Sequence, residues 1–186
     1  MKRQVLVLIF LIIASILCFG CSNSRKREVV HSIRKFNGKT VLIVDSVYYD
    51  KNGRFFTRNS NEYLIVSYYD TDICSECTID GLLKWQKELD SIFNSSFAPL
   101  FLLFHSPLDV FSEIVSHLSK NGFRYPIYYD PEGYFIKDNP CIPEDHFLHT
   151  FLIDENNKVI LSGIPIKNER LWQLYVQTIM DKEKNE

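Results

Sequence analysis

Residues 39–186 predict a single α/β domain, a central mixed sheet flanked by helices with an N-terminal β-hairpin extension. Three observations predict it. Between Tyr63 and Asp130, apolar runs of strand length alternate with longer stretches of helical periodicity, the pattern of parallel strands joined by crossover helices. After Thr150, two strand-like runs meet across Asn156-Asn157, a connection short enough to make them antiparallel. An amphipathic segment then closes the domain.

Each element has its own signal. KTVLIVDSVYY and RFFTRNSNEYLIVSYYD carry the β-branched and aromatic residues that strands favour, and Asn52-Gly53 between them marks a tight turn. The second run ends in Tyr63 to Tyr69, almost continuously apolar, as in a central strand covered on both faces. From Thr78 to Phe93, Leu82, Trp85, Leu89 and Ile92 recur at helical spacing, with Lys84, Lys87, Glu88 and Asp90 on the other side. A strand is expected at Pro99 to Phe104, a second helix from Asp109 to Lys120, and a third strand in YPIYYD. TFLIDENNKVILSG supplies the antiparallel pair, and Asn168 caps the closing helix ERLWQLYVQTIMDK. Trp85 and Trp172 follow apolar helix faces and read as core, while the tyrosine pairs at 48–49, 68–69 and 128–129 read as strand aromatics.

The chain begins with a different kind of segment. Lys2 and Arg3 precede an uncharged apolar run from Val5 to Phe19, the layout of a secretory signal. Its end, Leu17-Cys18-Phe19-Gly20-Cys21, resembles a lipobox of the Bacteroidetes type, which implies loss of residues 1–20 and lipidation of Cys21. An uncleaved anchor helix is the alternative, although the run is slightly short of the roughly 20 residues a span needs. Either way the expected location is the cell envelope, anchored to a bacterial membrane; no acidic run follows Cys21, which leans toward the periplasmic face. Residues 21–38 are polar and charged and read as a tether, in which Arg25-Lys26-Arg27 solvates the linker or lies near anionic headgroups. Removing Lys2 and Arg3 from the 21 basic residues leaves 19 against 23 acidic, a net charge of −4. No basic patch suggests a nucleic-acid partner.

With Cys18 removed and Cys21 acylated, the thiols that remain are Cys74, Cys77 and Cys141. Three are too few for a disulfide framework or an all-cysteine zinc site. There is no second CxxC and no zinc-spaced histidine pair, so a metal would have to recruit the scattered His105, His146 or His149; no metal and no cofactor are expected. The informative pair is Cys74 and Cys77, in YDTDICSECTIDGLLK, where the apolar run gives way to the first helix.

This arrangement resembles the thioredoxin fold, in the branch shared by TlpA/ResA-like tethered thiol-disulfide oxidoreductases and the AhpC/TSA-related peroxiredoxins. In that branch CxxC follows the strand and opens the first helix, as Cys74 and Cys77 do, and Asp80 stands where an acidic residue often follows the second cysteine. Leu148-His149-Thr150-Phe151-Leu152-Ile153-Asp154 matches the family run Pro-Thr-Thr-Phe-Leu-Ile-Asp, and the resemblance covers about residues 39 to 180. It implies exchange with protein disulfides or an envelope redox partner. Cys74, at the helix N-terminus where free N–H groups and the dipole favour a thiolate, would attack. Cys77, one turn in, would resolve the mixed disulfide. Asp80 would accept or return its proton, or is a solvated first-turn carboxylate. Leu148 takes the position of the family's cis-proline beside the disulfide, at the substrate-binding surface; a cis bond without proline costs about 2.5–4 kcal/mol. His149 either reaches that surface or is scaffold. Ile73 replaces the usual tryptophan, and Glu76 would oppose the thiolate.

Two other readings stand beside exchange. A degenerate lipoprotein would keep CxxC as a structural staple on a binding or assembly module. A peroxiredoxin-like peroxidase would use Thr71, three before Cys74 as in PxxxTxxC, although Ser67 holds the proline position. Cys141, in DNPCIPEDH, is a third redox partner or an ordinary loop cysteine.

Overall fold

The computed structural model describes residues 24–44, 47–57, 63–70, 75–92, 100–166 and 168–183, with the side chains of 75–78, 92 and 182–183 outside the description. The signal and lipobox, including Cys21, and the stretch with Thr71 and Cys74 lie outside the described residues. The chain divides into two units, Met1–Lys35 and Phe36–Glu186. The described part of the first is a mostly exposed helix, α1, which covers residues 24–36 and so ends on the first residue of the second, where the sequence reads as a tether.

The second unit holds β1 (Leu64–Tyr69), α2 (Ser75–Ile92), β2 (Leu100–Phe104), α3 (Leu108–Lys120), β3 (Ile127–Tyr129), α4 (Tyr134–Asp138), a 3-10 turn (His146–Leu148), β4 (Thr150–Ile153), β5 (Val159–Ser162) and α5 (Glu169–Glu183). The sheet order is β3-β2-β1-β4-β5. β1, β2 and β3 are parallel and β4 and β5 antiparallel to their neighbours, as the alternation and the short turn predict. That turn closes because Asn157 adopts φ 62° and the Asp154 carboxylate accepts the N–H groups of Asn156 and Lys158 at 2.9 and 2.8 Å. Asn168 caps α5, its side chain accepting from the Leu171 N–H at 3.2 Å.

β1 is central, and its side chains alternate between two cores. Ile65 joins Leu102 and Leu152 against Leu82, Trp85 and Leu89 of α2, with α3 and α5 completing that side. Val66 and Tyr68 join Phe101 and Phe151 on the opposite side, against Phe135 of α4 and Phe36. Because both faces are covered, β1 and β2 read as continuous apolar runs rather than as alternating ones.

The N-terminal hairpin is reduced to a turn with single bridges. Tyr49 pairs with Phe55 on one side and with Tyr129 of β3 on the other. Asp50 closes this turn: its buried carboxylate accepts the N–H groups of Asn52 and Arg54 at 2.8 and 2.9 Å and the Arg54 Nε at 2.8 Å. Upstream, Leu42 pairs with no strand among the described residues. The Asn139 side chain stands in for one, accepting from the Leu42 N–H at 2.6 Å and donating to its carbonyl at 2.9 Å.

Candidate functional site

The parallel strands end together at Tyr69, His105 and Asp130. The His105 N–H donates to the Tyr69 carbonyl at 2.9 Å, and the Asp130 N–H to the Phe104 carbonyl at 2.8 Å. Asp130, fully buried, has both carboxylate oxygens occupied by the N–H groups of Tyr134 and Phe135 at 2.9 Å each, so it starts α4 rather than offering a free acid. His105 Nδ1 lies 2.8 Å from the Asp130 carbonyl oxygen, and its ring covers Gly133. Gly133 has φ 65°, and a Cβ there would lie 3.2 Å from His105 Nε2, so a larger residue would be strained in its backbone and would have to push the ring aside.

From this end of β1 the chain enters α2, which begins at Ser75, one residue after Cys74. Cys77 is the third residue of that helix, in its first turn, where N–H groups have no intrahelical acceptor. Asp80 is exposed on the outer side of α2.

Below this junction, on the α2 side of the sheet, the Ser67 and Thr150 hydroxyls meet at 2.9 Å, buried between β1 and β4. Tyr69 continues the same row. Its ring stacks on Phe104 with centroids 4.6 Å apart, and burial pushes its hydroxyl up to about 12, against the opposing pull of a hydrogen bond with Ser67. This hydroxyl row escaped the sequence reading. The signal was present as two small hydroxyl residues in otherwise apolar strands, but strand register was needed to bring them together.

Leu148 and His149 sit at the entrance to β4. The Leu148 side chain is 0% exposed, and its N–H donates to the Asp145 carbonyl at 2.8 Å within the 3-10 turn. No peptide bond among the described residues is cis. His149 is 6% exposed and pairs with Tyr68, whose N–H donates to the His149 carbonyl at 3.0 Å. Its ring packs edge-on to Tyr68, whose neighbours are on the side of the sheet opposite α2. His149 Nε2 lies 2.9 Å from the Pro143 carbonyl oxygen, an acceptor only, so Nε2 carries the proton, and the buried Nδ1 has no hydrogen-bond partner among the described residues. Burial pulls His149 below its ordinary value of 6.5, nearby His146 adds to this, and the Pro143 hydrogen bond with the Asp70 and Asp145 charges opposes it.

The half-buried thiol of Cys141 packs beside the Phe36 and Phe151 core and donates a long 3.9 Å hydrogen bond to the Thr40 carbonyl. Among the described residues no group of three histidine, cysteine or acidic side chains could hold a metal ion, and no helix is long and apolar enough to cross a membrane.

No protein-family model and no curated protein matches the chain. Solved structures do. The thioredoxin domain of a thiol-disulfide oxidoreductase from Bacteroides vulgatus superposes with a TM-score of 0.56 at 13% identity, over 77% of this chain and 97% of that one. A Cys-to-Ser mutant of PrxQ from Xylella fastidiosa superposes with a TM-score of 0.50 at 19% identity, over 76% of this chain and 96% of that one. The protein has a thioredoxin-like fold. At these identities the likeness is one of architecture, and the chemistry must be argued from the residues.

Proposed function

We propose that the protein exchanges thiols and disulfides through Cys74 and Cys77, held in the cell envelope by a lipid on Cys21. One observation carries the reading. In a thioredoxin-like sheet the helix that follows the central strand begins directly after Cys74 and has Cys77 in its first turn. Two cysteines at that spacing can close a small ring across the helix start, where unpaired N–H groups favour an anionic sulfur.

In the exchange, the Cys74 thiolate attacks one sulfur of a client disulfide, and the other client sulfur leaves as a thiolate and takes up a proton. Cys77 then gives up its proton and attacks the Cys74 sulfur, releasing the second client thiolate. The client gains two electrons and the pair becomes a disulfide, which an envelope redox partner must reduce. Run in reverse, the same steps oxidise a client. Asp80, three residues after Cys77 and exposed to water, would pass the Cys77 proton to solvent.

Burial of Leu148 favours a second reading, a binding or assembly module that keeps CxxC as a staple, because a fully enclosed leucine presents no side chain to a client. Equilibration of the purified protein with glutathione buffers separates the two. Exchange predicts one two-electron transition that consumes both thiols, and reduction of insulin that Cys74→Ser abolishes. A pair that stays oxidised across the glutathione range, with no insulin reduction, supports the staple. Consumption of peroxide by Cys77→Ser would support the peroxidase reading.

A further inference from the structure

A groove of about 510 Å³ runs beside β3 at its N-terminal end, the end of the parallel sheet remote from the start of α2. One wall is the 50–57 turn, the other Phe123 to Tyr128. Three cations line it, Lys51, Arg54 and Arg124, with Asp50 the one carboxylate among its described lining residues and Asp90 paired to Arg124 from outside it, on a chain whose formal net charge is −2.

The three cations are held in place without being used up. Arg54 spends Nε and one terminal nitrogen on Asp50, the latter at 2.7 Å. Arg124 spends one nitrogen on Asp90, which stands behind it, and Lys51 donates to Ser119 Oγ at 3.0 Å. Each retains N–H donors, and fixing the side chains beforehand lowers the entropy cost of binding. Asp50 has no such reserve, since Asn52 and Arg54 already saturate it. Burial pushes the Asp50 carboxyl up, but these hydrogen bonds outweigh it and hold it below its usual range, so it stays an anion committed to Arg54.

The groove also has an apolar part. Phe55 is 55% exposed at its mouth, and Tyr128 lines its floor. β3 is the outermost strand on this side; among the described residues Tyr129 is bridged on its outer edge, while Ile127 lines the groove and is itself buried. Flanking cations select acidic side chains, and exposed aromatic surface takes apolar ones.

We propose that this groove docks an acidic peptide carrying aromatic residues, a segment of a protein partner bound away from the start of α2. Nothing in the proposal depends on the redox reading.

The test is fluorescence anisotropy of the full chain with a fluorescein-labelled peptide of alternating Glu and Phe, at about 20 mM and about 300 mM salt. Binding is expected to weaken about tenfold or more between the two salt concentrations and in Arg124→Glu, and about fivefold in Phe55→Ala. Lys84→Glu, the same charge change on the exposed side of α2, should alter it less than about twofold. Phe55 is a surface side chain, and far-UV circular dichroism confirms that each variant is folded. The proposal falls if the peptide fails to bind at about 1 mM, if Lys84→Glu weakens it as much as Arg124→Glu, or if a Lys/Phe peptide binds equally. It also falls if inorganic phosphate displaces the peptide at equal concentration, or if a single-stranded oligonucleotide binds more tightly.

Discussion

Leu148→Pro would place in this chain the proline that the thioredoxin-like pattern has at that position, and the structure sets what the change should cost. The leucine is 0% exposed, and trimming a buried leucine costs about 2–5 kcal/mol, part of which the proline ring recovers. Proline also removes the N–H that Leu148 donates to Asp145 at 2.8 Å, about 1 kcal/mol. It further disfavours the helical conformation of Phe147, the middle residue of the 3-10 turn. Together these amount to about 3–5 kcal/mol, a large share of the 5–15 kcal/mol typical of a folded domain. In a urea titration followed by tryptophan fluorescence, with a slope of about 2 kcal/mol per molar, the midpoint should fall by about 2 M. A midpoint within about 0.3 M of the parent would refute the packing argument. A stable variant with faster insulin reduction would mean that position 148 faces the client.

Three further outcomes are expected. His149 is pulled below 6.5 by burial, so the unfolded chain takes up a proton that the folded one refuses. Stability should therefore fall as the pH drops below about 6.5 and level off under the folded value, a decline that His149→Phe should flatten in urea titrations across that range. Asp50→Asn leaves the donors of Arg54 poorly matched and should cost about 2 kcal/mol at neutral pH. Because the folded carboxyl lies below 3.8, that cost should vanish as acid protonates Asp50 in the parent, which melting curves of both proteins would register. Cys21→Ala should release the folded chain from the membrane fraction, and retention there would point to an uncleaved anchor helix.

Much of the fold was legible because burial on both faces leaves a plain mark. The apolar runs gave β1 and β2, the spacing of Leu82, Trp85 and Leu89 gave α2, and Asn168 marked the start of α5. KTVLIVDSVYY was misleading for a physical reason. Its β-branched residues suit a strand, but its backbone partners are a side chain, Asn139, and single bridges at Thr40 and Tyr49. Nothing local in the sequence signals a partner 97 residues away. The pairing of Ser67 with Thr150, and the placing of His149 on the Tyr68 side, likewise follow from register, which composition does not encode. The cysteine spacing was the clearest chemical signal. Its place at the start of α2 is a matter of chain order, so it could be read without coordinates.

The central claim is tested most directly by trapping in single-cysteine variants. In Cys77→Ser the attacking thiol has no resolving partner, so a disulfide-linked adduct with a client should accumulate and disappear on reduction. In Cys74→Ser none should form. Equal adducts from both variants, or none from either with the fold intact, would contradict exchange and leave the pair as a staple on a binding scaffold.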